Sequence, residues 1–232
     1  GIRCLCGRNG VAYGATSIMG VALLAKPPVL LLPGWLNSDE NHWQRRWAAL
    51  HSATPVQQHD WLTPLRGDWL SAFETHLLAA HAANTARHGP HLPRFAVAAH
   101  SLGCHLLAAW LAHSAHRAWV VAALVVAPPD LSQADLAPAV ARWAPAVTVA
   151  FPPALREATV VLGSDDDPYA SSSATAQLAA QWGVPYVESP GLGHMNGQSQ
   201  LGDWPAGWER LQSLIHAAAS HCASAHLTDT TY

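Results

Sequence analysis

Short, nearly unbroken apolar runs alternate along this chain with longer segments whose apolar side chains recur at helical spacing. "PVLLLPG" (28–34) predicts a buried strand stopped by Pro33-Gly34. "SDENHWQRRWAALH" (38–51) predicts a helix with Ser38 as N-cap and Trp43, Trp47 and Leu50 at helical spacing. "TPVQQHDW" (54–61) reads as a weaker edge strand, and "GDWLSAFETHLLAAHAANTARHG" (67–89) as a long helix ended by Gly89-Pro90. Strands follow at "RFAVAA" (94–99), "WVVAALVVAP" (119–128), "ATVVLGS" (158–164) and "VPYVES" (184–189). Helices are expected from Leu102, over "SSSATAQLAAQWG" (171–183), and from Pro205 onward. Segment 131–157 holds four prolines and no sustained period, so it reads as a loop with helical pieces.

Apolar strands alternating with helices argue for a mostly parallel, doubly wound sheet of about six strands, covered on both faces as an α/β/α sandwich. The chain's 232 residues suit one such domain. Residues 27–222 are assigned to it; residues 1–26 are expected to be a loosely ordered extension and 223–232 a flexible tail.

Composition narrows the function classes. Half of the residues are hydrophobic and only 12% are charged. With a net charge of −3, a single lysine (Lys26) and scattered arginines, there is no electrostatic footprint for nucleic acid. No apolar run reaches the roughly 18 residues of a membrane span. The start of the chain, with a short apolar piece at Val21–Ala25, makes a poor signal peptide. Four cysteines (Cys4, Cys6, Cys104, Cys222) form no disulfide framework in a chain this long, so reduced thiols in a cytoplasmic protein are expected.

The chemistry is read from "VAAHSLGCHLLAAW" (97–110), where a serine stands between a strand and a helix. The turn Ala99-His100-Ser101-Leu102-Gly103 departs from G-x-S-x-G only by alanine in the first position, and alanine is still small. A serine hydroxyl becomes a nucleophile when a histidine takes its proton and a carboxylate fixes that histidine's tautomer. In sheets that carry this turn, acid and base follow in that order after later strands. The strand 158–163 runs into "GSDDDPYAS" and the strand 184–188 into "SPGLGHMNG". His194 is therefore the expected base among fifteen histidines, and Asp165, Asp166 and Asp167 are the candidate acids. His100, beside the serine, is expected to point away from it. The backbone N–H groups of Leu102 and Trp35 are the expected oxyanion donors.

At these motifs the chain resembles the small serine hydrolases related to retinoblastoma-binding protein nine, a compact branch of the α/β-hydrolases. The resemblance rests on "LLPGWLNSDENHWQRRW", "VAAHSLGCHLLAAW", "SDDDPYAS" with "LAAQWG", and "GLGHMNGQSQLGDWPAGW". It implies the compact α/β-hydrolase fold without a large lid, and Asp167, ahead of Pro168-Tyr169, as the acid partner of Ser101 and His194. One departure is Met195, where members often carry isoleucine.

The function expected is hydrolysis of small carboxylic esters through an acyl-enzyme. The alternatives are a protein-interaction module of this fold with little turnover, or a thioesterase or amidase using the same groups. The partner expected is a small acyl substrate; a protein partner enters only through the alternative reading. No cofactor and no metal are expected: His113 and His116 have i,i+3 spacing but no carboxylate or third ligand beside them in sequence, and H-E-x-x-H is absent. His42 is read as a histidine anchoring its helix to the sheet, and Trp35 and Trp204 as walls of an acyl pocket.

Overall fold

The computed structural model describes residues 26–228. Its six strands are β1 (Val29–Leu32), β2 (Thr54–Pro55), β3 (Phe95–His100), β4 (Val120–Val126), β5 (Thr159–Gly163) and β6 (Tyr186–Glu188). They form one all-parallel sheet in the order β2-β1-β3-β4-β5-β6. Strands β1, β3 and β5 are buried throughout, which is why they read as continuous apolar runs and not as alternating ones.

Strands β1, β3, β4 and β5 still split their side chains between two cores. Phe95, Val97 and Ala99 of β3 join Trp69, Phe73 and Leu77 of α2 (Arg66–His88), the helix α3 (Leu102–His113), and Leu178 and Trp182 of α6 (Ser172–Trp182). Ala96 and Ala98 face the other way, toward Trp43 and Trp47 of α1 (Trp43–His51) and Leu211 and Ile215 of α7 (Pro205–Thr228). The result is the expected three-layer α/β/α sandwich. Between them, α4 (Pro138–Ala141) and α5 (Pro153–Arg156) are the helical pieces of the proline-rich segment.

The chain leaves β1 outward to β2 and then returns past β1 to β3, so the direction of winding reverses between β1 and β3. In open α/β sheets the crevice for ligands opens there, beyond the carboxyl ends of the strands. Ser101 follows the end of β3, and the Pro33–Asn37 turn follows the end of β1.

Two expectations need correction. Ser38 does not cap α1; His42 does, its Nδ1 accepting the Gln44 N–H at 3.1 Å. Ser38 instead donates to Gln44 Oε1 at 2.6 Å, and the buried Gln44 amide donates to the Leu32 and Ala98 carbonyls. A glutamine thus clamps the start of α1 to the ends of β1 and β3, and a polar side chain in a helix gives no sequence sign of that clamp. The C-terminal helix also passes the expected boundary at residue 222 and runs to Thr228. Residues 1–25, the greater part of the expected extension, and residues 229–232 of the expected tail lie outside the described residues.

Candidate active site

Ser101 occupies a corner that β3 and α3 force on it, with φ 53° and ψ −125°. A non-glycine residue in this region is strained and persists only where its surroundings over-determine it. Here they do. Its N–H donates to the Val126 carbonyl at 3.0 Å, and the walls of the corner have no room to spare. A Cβ on Gly103 would lie 2.2 Å from the Leu32 carbonyl oxygen, and one on Gly34 would lie 2.8 Å from the Ser101 Cβ. Ala99 is buried in β3 opposite Leu32 and Val125, so alanine fits where the motif usually has glycine.

The structure brings together the three side chains expected from sequence. His194 Nε2 lies 2.9 Å from Ser101 Oγ. Its Nδ1 lies 2.9 and 3.0 Å from the two oxygens of Asp167. The side chains are enclosed, 9% exposed for His194 and 2% for Asp167. A carboxylate at Nδ1 places the ring proton there and leaves Nε2 free to accept from the serine. The Tyr169 ring packs edge-on against His194 with centroids 4.5 Å apart.

The other two aspartates also act on the His194 loop, on its main chain. Asp165 accepts the Gly191 N–H at 2.8 Å, and Asp166 accepts the Gly193 N–H at 2.7 Å. The Ser164 hydroxyl donates to Asp166 and accepts the Leu192 N–H. The Ser164 hydroxyl, followed by the Gly193 N–H, holds the Asp166 carboxyl below its ordinary range. Of three consecutive acids, two therefore grip the loop and one meets the ring.

Trp35 sits in the turn after β1, its ring Nε1 donating to the Leu62 carbonyl at 3.0 Å. The Leu36 and Asn37 N–H groups of that turn bond the Trp61 and Gly34 carbonyls. Leu102 is the first residue of α3, where an N–H precedes the intrahelical ladder. The cleft over Ser101 has a volume of about 270 Å³ and is walled by Trp35, Leu36, Leu136, Val140, Tyr169 and His194, among others. A larger cavity of about 580 Å³ lies beside it with Pro129 on the wall of both, but it contains none of the three side chains.

Some expectations about the surroundings change. Trp204 is not a pocket wall: it is 9% exposed and packs with Trp43 and Trp47 in the core beneath α7. His116 does have a carboxylate beside it, because α2 brings Glu74 to within hydrogen-bond reach, where Trp110 and Ser114 also bond it. His113 takes no part. His100 is buried and, as expected, engages groups other than the serine: the His42 ring and the His194 carbonyl. Burial pushes the Cys104 thiol up, which keeps it a neutral core side chain.

Fold and corner together define an α/β-hydrolase. Residues 29–213 match the family model described as serine hydrolase, and the chain belongs to that family. Among solved structures it is similar to the ydeN gene product of B. subtilis, at 20% identity and TM-score 0.63, covering 82% of this chain and 99% of that one. A YdeN-like hydrolase from Pectobacterium atrosepticum matches at 18% identity and TM-score 0.63, covering 85% and 94%. Esterase B of Lactobacillus rhamnosis matches at 17% identity and TM-score 0.60, covering 87% and 79%. These likenesses show the fold. No curated protein matches the chain. No helix among the described residues is long and apolar enough to cross a membrane.

Proposed function

We propose that the protein hydrolyses small carboxylic esters through an acyl-enzyme on Ser101. The observation that carries this reading is the unbroken chain from Ser101 Oγ through His194 to Asp167, each contact within 3.0 Å. His194 Nε2 takes the hydroxyl proton as Ser101 Oγ attacks the ester carbonyl. Asp167 holds the ring by its Nδ1–H and stabilises the imidazolium that forms. The N–H groups of Leu102 and Trp35 receive the oxyanion, where each donor is worth about 3 kcal/mol. His194 returns its proton to the departing alcohol, and water then repeats the sequence to free the acid.

The small volume of the cleft, about 270 Å³, favours short acyl groups. Thioesters and amides remain chemical variants of the same route. Ala99 fits its strand without strain, so its departure from glycine gives no ground for preferring an interaction module with little turnover. On cysteine usage, the cytoplasm is the compartment we assign.

Esterase B was also solved with a tributyrin phosphonate inhibitor; a fluorophosphonate is the corresponding probe here. It is expected to label Ser101, as located by mass spectrometry. Ser101→Ala is expected to lose both labelling and p-nitrophenyl acetate hydrolysis, the latter by about a thousandfold or more. Equal labelling of wild type and Ser101→Ala overturns the reading.

A further inference from the structure

A second run of hydrogen bonds reaches His194 from the opposite side of the sheet end, and the route above does not use it. It begins at the Gln44 backbone N–H, which can only donate, so His42 Nδ1 accepts and the His42 proton sits on Nε2. That Nε2 is 3.2 Å from His100 Nδ1, which must then accept, and the His100 proton sits on its own Nε2. The His100 Nε2 is 2.8 Å from the His194 carbonyl oxygen. A carbonyl can only accept, so the far end of the run demands the same polarity as the near end. One N–H and one C=O, 150 residues apart in sequence, thus agree on the tautomers of two rings.

We propose that His42 and His100 are positioning residues: a neutral, polarised imidazole pair that anchors the main-chain carbonyl of His194 and so aims its Nε2 at Ser101. The proposal rests on the reading of Ser101, Asp167 and His194 as the reacting groups. The loop needs such an anchor. Gly191, Gly193 and Met195 all have positive φ, and no regular ladder surrounds His194. Its N–H groups at 191 and 193 are held by Asp165 and Asp166. Its carbonyls at 194 and 195 are held from the other side, by His100 and by the Trp43 ring N–H at 2.9 Å.

The run tolerates no added proton. A doubly protonated His100 would turn an N–H against the His42 N–H, and a doubly protonated His42 would do the same to Gln44. Both rings are buried, 3% exposed for His42 and 5% for His100. Burial lowers the His42 pKa to about 4 and that of His100 well below its ordinary value. At His42, Asp39, in the turn before α1, opposes the shift and the His194 ring reinforces it; at His100 the His42 ring and then the His194 ring reinforce it, while the bond to the His194 carbonyl opposes it.

The test uses the full chain and three variants assayed with p-nitrophenyl acetate. His100→Leu removes the donor to the His194 carbonyl and is expected to lower kcat roughly tenfold, with KM changed less than about twofold. His100→Gln places an amide N–H where the imidazole Nε2–H was and is expected to recover most of that loss. His42→Asn keeps an oxygen to cap α1 but no longer reaches His100, and is expected to fall between the two. Histidine ¹⁵N spectra of the wild type, assigned by the signals each variant loses, are expected to show both rings neutral with the proton on Nε2.

Wild-type kcat in His100→Leu, or equal losses in the leucine and glutamine variants, overturns the proposal. So does an Nδ1–H tautomer or an imidazolium at either ring. Should His100→Leu not fold, His42→Asn and the spectra decide. Ser101→Ala, assayed alongside, separates the two readings: if it stays active, the assignment of the reacting groups fails, while the tautomers are still read independently of catalysis.

Discussion

The corner that carries Ser101 and the loop that carries His194 meet at 2.9 Å but are held by different physics. The corner's own residues, 99–103, are contiguous in sequence, and sterics enforce it, with Gly103 and, from the turn after β1, Gly34 leaving the crossing backbones no alternative path. The loop is assembled from remote segments: the acids after β5, His100 at the end of β3 and Trp43 at the start of α1. A side chain at a tight corner can be placed by the strain of its own backbone. A histidine ring that must present two nitrogens to two partners needs its main chain gripped at several points.

The contrast can be broken most sharply at Asp167. Asp167→Asn is expected to leave the fold intact and lower kcat by about 10³ to 10⁴, because the amide no longer holds the productive tautomer. A loss under about tenfold would hand the role of acid to Asp165 or Asp166. On the corner, Gly103→Ala is expected to cost stability, about 3 kcal/mol or more in urea denaturation, since its Cβ meets backbone 2.2 Å away. Gly67→Ala, with nothing within 4 Å, is the control and is expected to be neutral or slightly stabilising.

Acid should weaken the histidine side of the molecule. His42 and His105 are buried with pKa values lowered from 6.5 to about 4. Between those values the unfolded chain binds more protons than the folded one, so stability rises with pH across that window and is lost as pH falls through it. Each is expected to remove about 3 kcal/mol by pH 4, measured as urea midpoints against pH. A flat profile between pH 6.5 and 4 would mean that these rings are not buried neutral. The smallest effects belong to the loop acids. Asp166→Ala is expected to lower kcat roughly tenfold, and Asp165→Ala less, because Asp166 accepts two bonds and Asp165 one. If Asp165→Ala proves the more damaging, the grip on the loop is centred on Gly191, not on Gly193.

Much of this was legible beforehand. The alternation of apolar runs and helical periods announced the α/β/α layers, and the strand-serine-helix turn announced the corner. His194 stood out by lying past a late strand in a glycine-rich loop. Residue patterns left Asp165, Asp166 and Asp167 open, and family likeness chose among them. Gln44 drew no expectation from the sequence, yet it bridges two strand ends. Trp204 looked like a pocket wall because it lies in a loop near His194 in sequence, but the packing of α1 and α7 draws it into the core.

By itself, the order of residues determined the layers, the position of the strained serine and the neighbourhood of His194. Burial periods and turn preferences act over a few residues and leave their mark there. Tertiary structure alone decided that Asp165 and Asp166 grip the backbone of the His194 loop, and that His42 and His100 join in one line to the His194 carbonyl. Those contacts form between strand ends brought side by side by the reversal of winding between β1 and β3, and hydrogen-bond partners at such separations carry no local signature.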